Sequence, residues 1–168
     1  MHNSQSPLQA PEIPDSTTHS PSPGQIIAAE LGFYLEIRAT GFAVYMSASQ
    51  RHLRLVREMT SKTLTAAGIA AALTADVQLV ACELIGNSVR HCGDLVPLVV
   101  EIDIGPTGVS VKVHDPDSES FPRRAAMPSA VEAESGRGLP IVDLLAPGWL
   151  ATRTPVGKQV SCLLPYAR

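Results

Sequence analysis

The chain has 168 residues, 45% of them hydrophobic, and a formal net charge of −3. This length favours one domain with a real core, and the acidic balance speaks against a dedicated nucleic-acid binder, which carries a basic patch or stripe. No apolar run is long enough to span a membrane, the start lacks the pattern of a secretion signal, and Cys82, Cys92 and Cys162 lack metal-type spacing, so reduced thiols and a cytoplasmic location are expected.

Residues 1–24 are rich in Ser, Pro, Thr and Gln, with prolines at 7, 11, 14, 21 and 23. Such a segment cannot offset its ordering entropy by burial and reads as a disordered tail, with the folded domain over 25–168. From Gln25 to Met46 the chain holds β-prone pieces, chiefly Phe33–Ile37 and Phe42–Met46. Ser47 or Ser49 then caps a helix. Leu53, Val56 and Leu64 trace its inner side, with Met59 and Thr60 less strictly. Arg51, Arg54, Arg57 and Lys62 dress its outer face, and Gly68 ends it.

A second helix is capped by Thr74 or Asp76 and stopped by Gly93. Val77, Ala81, Leu84 and Ser88 share its apolar face, with Val80 and Ile85 at the flanks. Glu83, Asn87 and His91 follow one another at four-residue steps, each advancing only about 40° around the axis. They form one polar stripe at the edge of the apolar face, where a helix lines a cleft. The stripe is either an ordinary solvated side or a place for a hard cation. Mg²⁺ takes oxygen ligands and uses few protein groups beside substrate phosphates. Asn87 could supply a carbonyl oxygen, and Glu83 could hold a metal-bound water or accept a proton.

Leu95–Ile104 and Val109–Val113 read as a hairpin joined by Gly105–Gly108, whose second strand delivers His114 and Asp115 at its end. Asp115 is either a turn residue or an acceptor for the exocyclic amine of a base. Ser118–Glu134 is polar and irregular, a length typical of a lid or binding loop. It ends in Glu134-Ser135-Gly136-Arg137-Gly138-Leu139, opening an apolar helix from Leu139 to Ala146. Glycines there let backbone N–H groups approach a phosphate, and a helix N-terminus adds partial positive charge. A second hairpin closes the chain, Trp149–Thr152 and Gln159–Leu164, through a turn over Thr154–Lys158. Lys158 reads by default as an exposed turn lysine, with a phosphate contact as the alternative. Cys82 and Cys162 fall in apolar segments and read as small buried hydrophobes.

The order and spacing of these pieces resemble a known family. The chain looks like the ATP-binding domain shared by gyrase, histidine kinases and MutL, the Bergerat (GHKL) fold. Within that group it is most similar to the short anti-sigma-factor serine kinases of actinobacteria. The resemblance covers about Phe42 to Pro165. It rests on Glu83-Leu84-Ile85-Gly86-Asn87-Ser88-Val89-Arg90-His91, which matches the N box. It rests also on Gly136-Arg137-Gly138-Leu139 with Val142, Leu145 and Trp149, which matches the second glycine box. The implied fold is α+β, a two-layer sandwich with a mixed, mostly antiparallel sheet and helices on one face.

By position, the resemblance implies that Asn87 coordinates Mg²⁺ on the ATP phosphates. Glu83 is the general base for a partner's serine, or a water-mediated Mg²⁺ contact. Asp115 binds the adenine amine, and Gly136, Arg137, Gly138 and Leu139 line the triphosphate. His91 takes the family's customary histidine position near the cleft, without an assigned role. The implied partners are a STAS-type antagonist and a sigma factor, with no nucleic acid or membrane. Members often dimerise through the sheet and first helix, so a homodimer is admitted, without a local signal for it here. The chain departs from the pattern in two places. The first glycine box is Asp115-Pro116-Asp117-Ser118-Glu119, without glycine, and the usual threonine near the closing glycine is replaced by Lys158 and Gln159. The absence of a phosphoacceptor-histidine helix argues against a histidine kinase. Two readings compete: an ATP-dependent protein serine kinase and anti-sigma factor, favoured by Glu83 and Asn87, and a catalytically weak or inactive module that binds nucleotide or sequesters a partner, favoured by the glycine-free box.

Overall fold

Period-two alternation of apolar residues dominates the first folded stretch and the second half of the chain, and both become sheet. A computed structural model describes residues 24–122 and 138–166. Three strands come first, β1 (Ile26–Glu30), β2 (Phe33–Arg38) and β3 (Gly41–Ser47), followed by helices α1 (Gln50–Ala66) and α2 (Ala71–Cys92). The hairpin β4 (Pro97–Ile104) and β5 (Gly108–Asp115) comes next. Helix α3 (Gly138–Leu145) and the hairpin β6 (Leu150–Thr154) and β7 (Gly157–Pro165) complete the order. The described strands make one seven-stranded sheet ordered β1-β2-β3-β4-β5-β7-β6. The α+β sandwich is as expected, but the sheet is antiparallel at every pair instead of mixed. Strand β6, which runs with β5, lies outside β7 and never pairs with β5.

Alternation sets the two faces of the sheet. Phe42, Val44 and Met46 of β3, Leu98, Val100 and Ile102 of β4, Val109, Val111 and Val113 of β5, and Val160, Cys162 and Leu164 of β7 are all buried in one core. The helices cover this face. Helix α1 contributes Val56, Thr60 and Leu64, and α2 contributes Val77, Val80, Ala81, Leu84 and Ile85. Arg51, Arg54, Arg57 and Lys62 are exposed, as α1's amphipathic pattern requires. From the C-terminal part, Val142, Leu145 and Trp149 enter the core, and the Trp149 indole N–H donates to Asp143 Oδ1 at 2.7 Å. The opposite face carries Tyr34, Tyr45, Val99 and His114 side by side in register. Next to them lies an ionic cluster in which Arg38 pairs with Glu36 and Glu101.

Several boundaries differ from the sequence reading. Of the two candidate caps for α1, Ser49 is the one used, accepting from the His52 N–H. Helix α2 starts a turn before Thr74 and Asp76, at Ala71, without a side-chain cap. The alanines at 70–72 are strong helix formers and carry the helix back, while Thr74 turns its side chain into the core. Gly93 does terminate it, with φ 91°. Strand β4 begins at Pro97, because Leu95 sits in the left-handed region at φ 59°. Trp149 precedes β6, and the turn into β7 is only Pro155-Val156, with Thr154 paired to Gly157. Cys162 is buried as expected, whereas Cys82 is only half-buried. The expectations for residues 1–23 and 123–137, including the lid-like loop, Gly136 and Arg137, lie outside the described residues. No described helix is long and apolar enough to cross a membrane.

Candidate functional site

Helix α2 packs against β5 and β7, and its contact with the end of β5 is polar. Ser88 lies on the buried face of α2, where a hydroxyl needs a partner. Its Oγ donates to Asp115 Oδ2 at 2.7 Å and lies 3.2 Å from the Leu84 carbonyl. Asp115 is in turn 5% exposed. Because Ser88 follows Asn87 directly, this bond sets the polar stripe of α2 and the strand-end acid at one level of the sandwich. Glu83 and Asn87 are half-buried and His91 is exposed. The Asn87 carboxamide makes no hydrogen bond to a described residue.

Around Asp115 a small ionic network forms. Its Oδ1 accepts from Lys158 Nζ at 2.9 Å and from the Asp117 N–H at 3.0 Å. Lys158 also donates to Asp117 Oδ2 at 3.1 Å and to the Asp117 carbonyl at 3.3 Å. Asp117 Oδ1 accepts from the N–H groups of Glu119 and Ser120. Those two backbone bonds, with help from Lys158, hold the Asp117 carboxyl well below the usual range against the opposing effect of desolvation. Cys92, one turn beyond Ser88, has its thiol pushed up by burial first and by the charge of Asp115 second.

Lys158 is therefore corrected outright as an exposed turn residue: it is 1% exposed. The short Pro155-Val156 turn places it inside β7, paired with Asp115, and its parity puts it on the same face as Val160, Cys162 and Leu164. Its ammonium is held by two carboxylates, so it is not a free cation for a phosphate. Asp115 is likewise more than a turn residue, since both its oxygens are engaged from three directions.

Gly157 makes this approach of β7 to the turn after β5 feasible. At φ 142°, a Cβ there would lie 2.0 Å from the Asp115 carbonyl oxygen and 2.7 Å from Pro116 Cα. Gly138 opens α3, and Leu139 is half-buried against the core. Since α3 packs on α2, the start of α3 belongs to the same helical layer as the stripe. Sequence reasoning missed Ser88 as a functional contact and Asp117 as a network member. Ser88 had a signal, a hydroxyl on an apolar stripe next to Asn87. It missed His52 as well, which is buried between Ser47 O (2.5 Å from Nδ1) and Glu30 Oε1 (3.1 Å from Nε2) and ties α1 to β1 and β3.

Among the described residues, no group of three or more His, Cys, Asp or Glu side chains is placed to hold a metal. A cavity of about 430 Å³ lies on the other face of the sheet, lined by Tyr34, Tyr45, Val99, His114 and Val156 among others. Of the network it shares only Asp115, and the chemistry-bearing residues of α2 do not line it.

Helix α2 thus carries its polar stripe next to the serine that binds the strand-end carboxylate of Asp115. The family profile of the histidine kinase-like ATPase domain matches residues 46–162. That is well over half of the chain, which belongs to this family of ATP-binding domains. No curated protein matches it.

Proposed function

We propose that this ATP-binding domain is an anti-sigma factor with serine-protein kinase activity on a STAS-type antagonist, and that it releases or holds its sigma factor accordingly. The observation that carries the reading is Asn87: a half-buried carboxamide without a described hydrogen-bond partner, one residue from the serine that binds Asp115. Asn87 would hold a magnesium ion as one oxygen ligand, since Mg²⁺ uses few protein groups beside phosphates and water. Bound with the nucleotide, that ion would supply charge neutralisation for the phosphates. By the family resemblance, Asp115 would accept a hydrogen bond from the exocyclic amine of adenine, and Gly136, Arg137, Gly138 and Leu139 would border the triphosphate. Glu83, one turn from Asn87, takes the proton of the partner's serine hydroxyl. The serine oxygen then bonds to the γ-phosphorus as the bond to the β–γ bridging oxygen breaks and ADP leaves. Positioning and charge neutralisation carry most of such a transfer, with the base contributing about 10²–10⁴-fold.

A second reading, a nucleotide-binding or partner-sequestering module with weak or no catalysis, is favoured by the Asp115-Pro116-Asp117 turn, which is braced by Lys158 where the family has glycines. One series separates the two. Magnesium-dependent ATP affinity is measured first, then transfer of radiolabel from ATP to candidate STAS proteins. The kinase reading expects labelling by the wild type and its loss in Glu83→Ala and Asn87→Ala. Tight ATP binding without labelling of any STAS partner leaves the module reading.

A further inference from the structure

Three donors converge on the Asp115 carboxylate, and they leave it an uneven capacity. Each carboxylate oxygen offers about two lone-pair sites. Among the described residues, Oδ1 is filled by Lys158 Nζ and the Asp117 N–H, whereas Oδ2 holds only the Ser88 hydroxyl. The groups facing Asp115 are Ser88 and Cys92 from α2, Lys158 from β7 and Asp117 from the turn. Lys158 is the one cation among them. Its three ammonium protons all have acceptors within the network, Asp115 Oδ1, Asp117 Oδ2 and the Asp117 carbonyl, and at 1% exposure it has no solvent to turn to.

We propose that Lys158 is a specificity-determining positioning residue: it fixes Asp115 as a hydrogen-bond acceptor, leaving one lone pair on Oδ2 for a ligand's amine. The inference rests on the nucleotide reading of this site and adds what the site selects. A base with an exocyclic amine at the reading position fits. A base with a carbonyl there meets acceptor against acceptor and is rejected. Without the ammonium, Oδ1 keeps only the Asp117 N–H, the carboxylate is free to turn away from the reading position, and amine and carbonyl bases are no longer told apart. Lys158 never touches the ligand; it acts through Asp115.

The test compares ATP with ITP, which differ at that position by amine against carbonyl, in Mg²⁺-dependent binding by titration calorimetry. The variant is the double substitution Lys158→Met with Asp117→Asn, which removes one charge of each sign, the buried ammonium and the partly exposed Asp117 carboxylate, and so avoids stranding a carboxylate pair. Wild type is expected to prefer ATP by about tenfold or more, the scale of one good base contact. In the double variant the preference falls toward unity, chiefly through a loss of ATP affinity. A merely structural Lys158 would weaken both nucleotides alike and leave the ratio in place, which overturns the inference, as does equal binding of both by the wild type. If the wild type binds neither nucleotide, the nucleotide reading itself fails. If the double variant does not fold, Lys158→Arg, which keeps a cation but changes its reach to Asp115, decides: a fall in the ATP preference supports the positioning role, and an unchanged preference with both nucleotides weakened alike overturns it.

Discussion

An ammonium group sealed from water is tolerable only when every proton has an acceptor, and at Lys158 each does. Removing the lysine alone strands Asp115 and the turn carboxylate of Asp117 against one another. Breaking a buried pair from one side costs about 3–5 kcal/mol. Lys158→Met is therefore expected to lose stability on that scale in urea unfolding, while Lys62→Met on the exposed face of α1 stays within about 0.5 kcal/mol. An equal, small effect of both would mean the network contributes little. The residues of the site were unevenly legible. Glu83, Asn87 and Asp115 could be picked out because helical spacing and strand ends are local properties of a sequence. Lys158 could not, because its burial follows from a two-residue turn that shifts it from loop to strand. Ser88 was read only as part of the apolar face, since nothing local shows which group faces it across the sandwich.

At the scale of elements, the strands and helices were legible from periodicity, and the errors cluster at their ends. Caps and turns depend on one or two residues, and tertiary packing overrides them: Thr74 looked like a cap and is a buried helical residue. Its Oγ1 has no hydrogen-bond partner among the described residues. An unpaired buried hydroxyl costs roughly 1–3 kcal/mol. Thr74→Val, which keeps the shape and removes the orphan, is thus expected to be neutral or to raise the urea midpoint, and a clear loss of stability would show that the hydroxyl is satisfied in solution. The β6–β7 hairpin gives a sharper case. Gly157→Ala would drive a Cβ to 2.0 Å from the Asp115 carbonyl oxygen, and backbone atoms on both sides cannot yield cheaply. Gly68→Ala, at φ 75° with open space around it, meets only the left-handed penalty of about 1–2 kcal/mol. The expected order is Gly157→Ala well below Gly68→Ala in thermal stability. Hydrogen exchange should quicken along β7 and the Asp115–Asp117 turn in the first variant and not in the second.

At the scale of the whole molecule, the described carboxylates that partners hold low sit at the end of β1, on the sheet face without helices and at the end of β5, and they share one sign of pH dependence. The Glu36 carboxyl is lowered from 4.5 by the Arg38 hydrogen bond first and the Tyr45 hydroxyl second. At Glu101 burial acts upward, but the hydrogen bonds from Arg38 and His114, with the charge of Arg38, outweigh it and the net shift is down. Asp117 is lowered from 3.8 by the Ser120 and Glu119 N–H groups. In each case the folded chain takes up the proton at a lower pH than the unfolded chain does. The unfolded state therefore binds more protons as the solution is acidified, and stability falls with it. The contribution is complete above about pH 4.5 and disappears as pH drops through the folded values. Urea midpoints should be level across pH 5–7 as far as these groups decide it, then decline steeply from pH 4.5 to 3. Arg38 lowers both glutamates, so Arg38→Met brings their folded and unfolded values together and makes the decline shallower while lowering the plateau. Added salt should mimic part of that change, because Arg38 and its partners are partly exposed and exposed pairs are screened within about 10 Å at 0.1 M. The Asp117 carboxyl is partly exposed, but it is lowered chiefly by backbone N–H hydrogen bonds at contact distance, so its share of the acid decline should persist at high salt. A decline that vanished entirely in salt would place all of the pH sensitivity on the open face and none at the candidate site.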